Sequence, residues 1–262
     1  MMSIGSGIEN ATETDVLTYI MNLNKKGSSR ATTNRKISSL RVAFDYLIFE
    51  GKIDKNPTNG IKTSRTVRQQ VESLTVEDVE NILSLPDDST KGKRDKAILE
   101  VLYGTGIRAI ELIDLNFRDL NTKMGFIQCT GAHGRPRIVP LGRYARNAVN
   151  EYLRESRPVL LRSEEDKESE DRPLFLNYMG ERMTRQGLWK VLGEYGKKAG
   201  LTTKLTPHIL RTSFAVHMLQ NGADIKTLQE LMGYDDVQAM QAFLQIKSNR
   251  IKDVYDKTHP RA

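Results

Sequence analysis

The chain has 262 residues, enough for one large domain or two ordinary ones, and its 38% hydrophobic and 28% charged residues are typical of a globular protein. No apolar run approaches the ~20 residues of a membrane helix, and the first residues lack the pattern of a signal peptide. The single cysteine, Cys129, excludes an internal disulfide and favours a reducing, cytoplasmic setting. With one cysteine and four scattered histidines, no metal site is expected.

The net charge of +7 is unevenly distributed along the chain. Residues 164–171 carry six acidic residues and one lysine, so the rest of the chain is more basic than the net charge indicates. A chain that is basic apart from one acidic segment is expected to bind a polyanion, with the acidic segment facing away from that partner. The alternative is an ordinary solvated surface that is rich in lysine.

Residues 8–60 are predicted to form a small helical domain with a thin core. Its two main helices are expected over residues 14–25, ended by Gly27, and from residue 28 or 29 to about 49, because apolar residues recur there at three- and four-residue spacing. The following stretch, residues 61–73, is polar, basic and aperiodic, which predicts a linker.

Residues 74–262 are predicted to mix helices with a little sheet. Short strands are expected at residues 125–129 and 137–141, joined by a turn, and at residues 174–176. A capping box at Thr75–Asp78 is expected to start the first helix. The later helices are expected at about 93–103, 108–115, 142–156, 184–199, 207–221, 225–232, 237–246 and 248–258.

Three basic residues suited to a phosphate are spread across this second region. Arg108 follows a Gly-Thr-Gly turn at a helix start, where its charge adds to the positive end of the helix. His208 and Arg211 are three residues apart and project from one helical face. Together, two guanidiniums and an imidazole would neutralise the charge on a pentacoordinate phosphate. Taken singly, each of them is more often a surface, ion-pair or structural residue.

Three motifs follow one another along the chain: Gly104-Thr-Gly-Ile-Arg-Ala-Ile-Glu-Leu112, Thr206-Pro-His-Ile-Leu-Arg-Thr-Ser-Phe-Ala215 and Leu231-Met-Gly-Tyr234. In order and spacing they resemble the tyrosine recombinases, or phage integrases, and in particular the bacterial XerC/XerD-type enzymes. The resemblance covers most of the chain. It implies a mainly α fold with a small antiparallel β-sheet, in which an N-terminal helical core-binding (SAM-like) domain and a C-terminal catalytic-type domain clamp double-stranded DNA.

The resemblance also implies a role in DNA recombination and DNA integration without a metal or another cofactor. In this family a tyrosine oxygen attacks the scissile phosphate, and a lysine on a β-hairpin protonates the leaving oxygen. By position, Arg108 and Arg211 match the phosphate-clamping arginines and His208 the catalytic histidine. Glu111 matches the acidic residue that helps to position the site.

Family members work as tetramers on two DNA sites, and the C-terminal helix of one protomer docks into its neighbour. The resemblance therefore implies a homo-oligomer, or a hetero-oligomer with an active recombinase, held through residues 248–258. From the resemblance, the first N-terminal helix of the family is expected to have no counterpart ahead of Glu9.

Three positions depart from the family pattern. The nucleophile position holds Phe243, which has no hydroxyl, and the position of the hairpin lysine holds Ala132. His133 or Arg135 could replace the lysine, but an arginine holds its proton too tightly to be a good acid. Tyr234 stands where the family has a histidine or tryptophan, and it can still donate a hydrogen bond. Three changes in one site favour a DNA-binding protein that does not cleave DNA.

Two other interpretations remain open. One is an active recombinase in which phenylalanine has deliberately replaced the nucleophilic tyrosine, or which uses another tyrosine such as Tyr255. The other is a DNA-binding regulator that relies on its helices alone.

Further basic residues are predicted to contact DNA. In the family the second N-terminal helix enters the major groove, although without the resemblance its basic residues would be read as an ordinary solvated face. The predicted contacts are Arg30, Arg35, Lys36 and Arg41 on that helix, Lys62, Arg65 and Arg68 in the linker, and His133, Arg135, Arg137, Arg182, Arg185 and Lys204 in the second domain.

Overall fold

The computed structural model describes residues 7–63, 72–131, 134, 136–161, 171–234 and 243. The chain divides into two compact units, Met1–Arg68 and Gln69–Ala262. The described residues contain ten α-helices and a three-stranded antiparallel sheet, so the predicted fold class is confirmed. None of the described helices combines the length and the apolar character that crossing a lipid bilayer requires.

The first unit is built on two helices, α1 (Glu13–Lys25) and α2 (Arg30–Phe49), preceded by a 3-10 turn at Ile8–Asn10. Thr12 and Asp15 form a capping box at the start of α1, in which the Thr12 hydroxyl accepts from the Asp15 N–H at 3.3 Å and the Asp15 carboxylate accepts from the Thr12 N–H at 2.9 Å. Four buried apolar residues of this unit form a small cluster, namely Val16, Ile37, Phe44 and Ile61. This is the thin core that two helices allow.

The described part of the second unit contains eight α-helices around a larger core. Their bounds are α3 Val76–Ser84, α4 Thr90–Thr105, α5 Ala109–Asp114, α6 Arg143–Glu151, α7 Arg157–Leu160, α8 Arg185–Lys198, α9 Pro207–Gln220 and α10 Ile225–Met232. Helix α4 lies at the centre and packs against α6 and α9, so residues on nearly every side of it are buried. The predicted capping box of α3 is confirmed, since Thr75 and Asp78 each accept from the other's backbone N–H.

The sheet contains β1 (Leu120–Asn121), β2 (Phe126–Thr130) and β3 (Pro136–Pro140) in sequential order, after a 3-10 turn at Phe117–Asp119. In β3 the less exposed residues are Arg137 and Val139. Because side chains alternate between the two faces of a strand, these two point to the same side. Val139 belongs to the core, so Arg137 faces the interior of the domain.

The strand predicted at residues 174–176 is wrong. Within this segment only Leu176 makes a β-bridge, an isolated one to Arg182. The Tyr152 hydroxyl donates to the Leu174 carbonyl and accepts from the Leu176 N–H, both at 3.1 Å. The Arg157 Nε also donates to the Leu174 carbonyl, at 3.3 Å. These side chains bind the backbone groups that a neighbouring strand would otherwise pair with.

The helix predicted over residues 142–156 runs further than expected. Helix α6 continues as a π-helical turn at Tyr152–Ser156 and then as α7, which ends at Leu160. Pro158 lies in the first turn of α7 and has no N–H to donate to the preceding turn. The predicted helices at residues 237–246 and 248–258 lie outside the described residues, apart from Phe243, which is helical.

Helix α4 ends at Gly106, which has a φ of 62°. We expect Gly106→Ala to lower the free energy of unfolding by about 3 kcal/mol, because L-residues are strained at positive φ and a Cβ here would overlap the Phe214 ring. Urea unfolding would measure the change. In the control, Gly193→Ala within α8, an added Cβ meets no atom within 4 Å, and stability should rise by about 0.5–1 kcal/mol. Equal stability of the two variants would contradict this account of Gly106.

Candidate functional site

Arg108 and Glu111 lie at the junction between α4 and α5. Arg108 precedes the first residue of α5, and its backbone N–H donates to Glu111 Oε2 at 2.7 Å. Its Nη1 donates to Glu111 Oε1 at 3.0 Å. The Glu111 side chain is only 2% exposed, whereas that of Arg108 is 29% exposed. The local turn therefore buries an acid and leaves an arginine beside it partly accessible.

Arg211 reaches this junction from α9. Its Nη1 donates to the Gly106 carbonyl at 2.5 Å and its Nη2 to the Met232 carbonyl at 2.6 Å. Burial lowers the pKa of the Arg211 guanidinium below its ordinary value. An arginine stays protonated in proteins nonetheless, so Arg211 adds a largely buried positive charge to the site.

The C-terminal end of α10 gathers three guanidiniums. The carbonyls of residues 231, 232 and 233 accept, in that order, from Arg137 Nε at 2.9 Å, Arg211 Nη2 at 2.6 Å and Arg108 Nη2 at 2.6 Å. Carbonyls at a helix end lack partners within the helix and form the negative end of its dipole. The end of α10 thus supplies acceptors that orient all three side chains.

Glu111 also pairs with Arg137, which approaches from β3. Arg137 Nη1 and Nη2 donate to the two carboxylate oxygens at 2.6 and 2.9 Å. Burial would raise the pKa of Glu111, but the hydrogen bonds from Arg137 and from the Arg108 backbone hold the pKa below its ordinary value of 4.5. Glu111 is therefore an ionised carboxylate shared by two arginines.

Tyr234 completes the group at the residue after Gly233. The Cζ atoms of Arg108 and Arg211 lie 5.4 and 4.9 Å from the centroid of its ring. Both distances are within the range of cation–π attraction. The structure thus brings together four of the predicted site residues, Arg108, Glu111, Arg211 and Tyr234.

The other predicted site residues have different surroundings. His208 lies in the first turn of α9, three residues before Arg211, and its side chain is exposed. Phe243 is 6% exposed and packs in an apolar cluster with residues of α9 and α10, to which Tyr234 is adjacent. Ala132 lies outside the described residues.

The predicted DNA contacts of the first unit differ in exposure. Arg30, Arg35 and Lys62 are exposed, and Lys36 lies with its Nζ 5.9 Å from the ring centroid of Tyr19. Arg41 instead supports the fold, because its Nη2 donates to the Ile61 carbonyl at 3.1 Å. Arg65 and Arg68 lie outside the described residues.

The predicted contacts of the second unit also divide into two groups. Arg185 and Lys204 are exposed, and the Lys204 Nζ lies 5.5 Å from the ring centroid of Trp189. Arg182 is directed inward, where its Nη1 donates to the Ile113 carbonyl at 2.7 Å and so caps α5. Arg137 is directed inward as well, toward Glu111. His133 and Arg135 lie outside the described residues.

Sequence reasoning missed the pairing of Arg137 with Glu111 and the acceptors at the end of α10. One signal was available. Arg137 lies two residues before Val139 in a predicted strand, so the two side chains share a face. If Val139 faces the core, Arg137 also faces inward and needs an acidic partner. The carbonyls of residues 231–233 left no such signal, since every residue carries a backbone carbonyl.

Known proteins are similar to this chain over most of its length. Residues 72–250 match the phage integrase family, and residues 1–51 match the phage integrase N-terminal SAM-like domain. The tyrosine recombinase XerD of Listeria innocua serovar 6a is 41% identical over 249 residues, which are 95% of this chain and 82% of that protein. The tyrosine recombinase XerC of Pelotomaculum thermopropionicum is 38% identical over 245 residues, 93% of this chain and 80% of that protein.

Solved structures share the fold at lower sequence identity. The XerH site-specific recombinase bound to palindromic difH substrate, in a post-cleavage complex, is 20% identical with a TM-score of 0.78 and covers 94% of this chain and 72% of its own. A lambda integrase dimer bound to a COC' core site is 19% identical with a TM-score of 0.69 and covers 92% of this chain and 81% of its own.

Glu111→Gln is expected to lower the free energy of unfolding at pH 7 by about 3 kcal/mol, because it leaves buried guanidiniums without their carboxylate. The folded pKa of Glu111 lies below 4.5, so the carboxylate contributes fully at neutral pH and this contribution is lost as pH falls through the folded pKa. The difference between wild type and variant should therefore shrink in urea unfolding below about pH 4.5.

The matched control is Glu80→Gln, at an exposed position on α3. It should leave the free energy of unfolding nearly unchanged at every pH. A difference for Glu111→Gln that stays constant from neutral to acid pH would contradict the role given to the carboxylate.

Proposed function

This chain belongs to the phage integrase family, the tyrosine recombinases, which act in DNA recombination, and from that membership we propose that it binds double-stranded DNA at the Arg108–Arg211 site without cleaving it. One observation carries the proposal. Two guanidiniums converge on the Tyr234 ring, while the neighbouring nucleophile position holds the buried phenyl ring of Phe243. The site keeps the charge that binds a phosphate and lacks the oxygen that would attack it.

The two arginines keep donors for a phosphate. A guanidinium has five N–H groups, and the contacts of Arg108 to Glu111 and Gly233 use two of them. Arg211 likewise donates two to backbone carbonyls. These contacts orient the planar groups, and the remaining N–H groups can form short, charge-assisted bonds to phosphate oxygens. The exposed His208, one turn away on α9, can add a third donor.

The proposed lack of cleavage has two independent causes. A phenyl ring has no lone pair to form a bond to phosphorus, so Phe243 cannot begin the transesterification. Ala132 has no proton to give, so the leaving oxygen would also lack the general acid that normally contributes ~10²–10⁴-fold to a rate. Restoring either group alone therefore leaves the other step impaired.

We extend the proposal to assembly on DNA. The XerH structure holds its protein on a palindromic difH substrate, and the lambda integrase structure holds a dimer on a COC' core site. By analogy, this chain is proposed to occupy recombination sites as a homo-oligomer, or together with an active recombinase, through residues 248–258. A non-cleaving subunit in such an assembly would hold one site while its partner performs the strand exchange.

Duplex binding should weaken steeply with salt, because each neutralised phosphate releases condensed cations. Arg108→Met should lower the affinity about tenfold or more and reduce the slope of log K against log salt by about one. Fluorescence anisotropy across a salt series would measure both. The charge-matched control, Lys123→Met, removes an exposed lysine in the turn before β2 and should change neither quantity by a comparable amount. An unchanged affinity of Arg108→Met would favour binding through helices alone.

A nicked suicide duplex resolved on a denaturing gel tests the absence of cleavage. The wild-type chain should bind the duplex without a covalent band, and Phe243→Tyr with Ala132→Lys should restore one. A covalent band from the unaltered chain would overturn the proposal. A strong band from Phe243→Tyr alone would show that the rest of the site is competent and favour an active recombinase with a replaced nucleophile.

A further inference from the structure

We infer that Arg137 is a positioning residue, which holds both acceptors of the Arg108 guanidinium and does not itself contact DNA. The inference rests on the proposed function, because it assigns Arg108 to a phosphate. The sequence alone placed Arg137 among the phosphate contacts. Its surroundings in the structure distinguish the two roles.

Every nitrogen of the Arg137 guanidinium donates to an acceptor within the protein. Nη1 and Nη2 donate to the two oxygens of Glu111, and Nε donates to the Leu231 carbonyl. The side chain is 14% exposed, half as much as the 29% of Arg108. In Arg108, by contrast, no contact to Nε is present among the described residues. All three nitrogens of Arg137 are thus bound within the protein, whereas Arg108 keeps its Nε and the larger exposed fraction.

Arg137 touches both groups that hold Arg108. Arg108 Nη1 donates to Glu111 Oε1 and Nη2 donates to the Gly233 carbonyl. Arg137 Nη1 donates to the same Oε1 at 2.6 Å. A Cβ added to Gly233 would lie 2.7 Å from Arg137 Nη1 and 2.8 Å from its Cζ, so the guanidinium packs directly against the Gly233 backbone. Moving Arg137 would remove a partner of the carboxylate and the packing against Gly233, whose carbonyl accepts from Arg108.

Charge supports the same assignment. Glu111 is buried, and the groups around it are Arg108 and Arg137 in direct contact, with the Cys129 thiol and Arg211 further away. Cys129 is paired with Arg137 in the ladder between β2 and β3. Without Arg137, the buried carboxylate would keep only one paired arginine, and a poorly compensated buried charge is costly. The bidentate pairing of the Arg137 guanidinium therefore keeps the Glu111 carboxylate ionised and oriented.

The test is a double-mutant cycle in duplex binding, read by fluorescence anisotropy across a salt series. Arg137→Met should weaken binding about tenfold, as Arg108→Met does, because both lose the same oriented guanidinium. The double variant should bind no more weakly than Arg108→Met alone, and the salt slope should fall no further. Additive losses, with a second reduction of the slope, would show an independent phosphate contact and overturn the inference.

Arg137→Lys separates orientation from charge. A lysine keeps the positive charge but cannot form the bidentate pair and the third bond at once. A positioning role predicts that Arg137→Lys binds DNA as weakly as Arg137→Met, although the net charge is unchanged. Binding equal to wild type would overturn the inference. If instead the wild-type chain shows no affinity for duplexes at low salt, the proposed function itself fails, so the two failures are distinguishable.

A measurement on the unaltered protein covers the case in which both Arg137 variants unfold. Phenylglyoxal modifies accessible guanidiniums, and mass spectrometry identifies the modified residues. Arg108 should react in the free protein and be protected by duplex DNA. Arg137 should react slowly with or without DNA, because its side chain is half as exposed as that of Arg108 and the Glu111 carboxylate holds both of its Nη atoms. Rapid modification of Arg137 that DNA prevents would overturn the inference.

Discussion

The buried carboxylate of Glu111 is the constraint on which the site depends. A carboxylate this poorly exposed is stable in its charged form only when it is paired and hydrogen-bonded. Arg108 supplies this pairing from the same turn, and Arg137 supplies it from a strand. Each arginine in turn needs an oriented acceptor, and the free carbonyls at the end of α10 provide one. Glu111 thereby links the start of α5, strand β3 and, through the two arginines, the end of α10.

The balance of charge explains why this network suits an anion. The three guanidiniums carry three positive charges. They are partly balanced by one carboxylate and by the negative end of one helix, which is equivalent to roughly half a negative elementary charge. The group therefore keeps a net positive charge, even though every arginine is hydrogen-bonded. Because the donors are oriented before any ligand arrives, a phosphate would find them without a further loss of side-chain entropy. Tyr234 restricts the two arginines further by lying against both.

Phe243 contributes to the apolar packing of the domain and has no group that could attack a phosphate. Its ring belongs to the apolar cluster formed with α9 and α10, which also contains Met232, whose carbonyl orients Arg211. A phenylalanine is well suited to such a place, whereas a buried tyrosine hydroxyl would need a hydrogen-bond partner. The same helix end thus arranges the cations through its carbonyls and packs the ring through its side chains. In the function proposed above, a phenyl ring in place of a tyrosine removes the attacking hydroxyl and leaves the charged group intact.

The sequence by itself determined most of the elements and four of the residues that the structure brings together. Caps and apolar spacing act within a few residues, which is why the capping box at Thr75 and the helices α2, α9 and α10 were predicted close to their observed bounds. The motifs identified Arg108, Glu111, Arg211 and Tyr234 for the same reason, since each motif is a short stretch of chain. The strand expected at residues 174–176 failed because distant side chains bind its backbone groups.

Only the tertiary structure decided which of the many arginines are paired internally. Arg137 meets Glu111 across 26 residues of chain, and Arg108 meets the Gly233 carbonyl across 125. The strand pattern places Arg137 on the inward face with Val139, but it does not identify Glu111 as its partner, because the two residues lie on separate segments of the chain. Their different surroundings arise when β3 packs beside α10 and directs one guanidinium inward, and the energy of a buried ion pair depends on that packing.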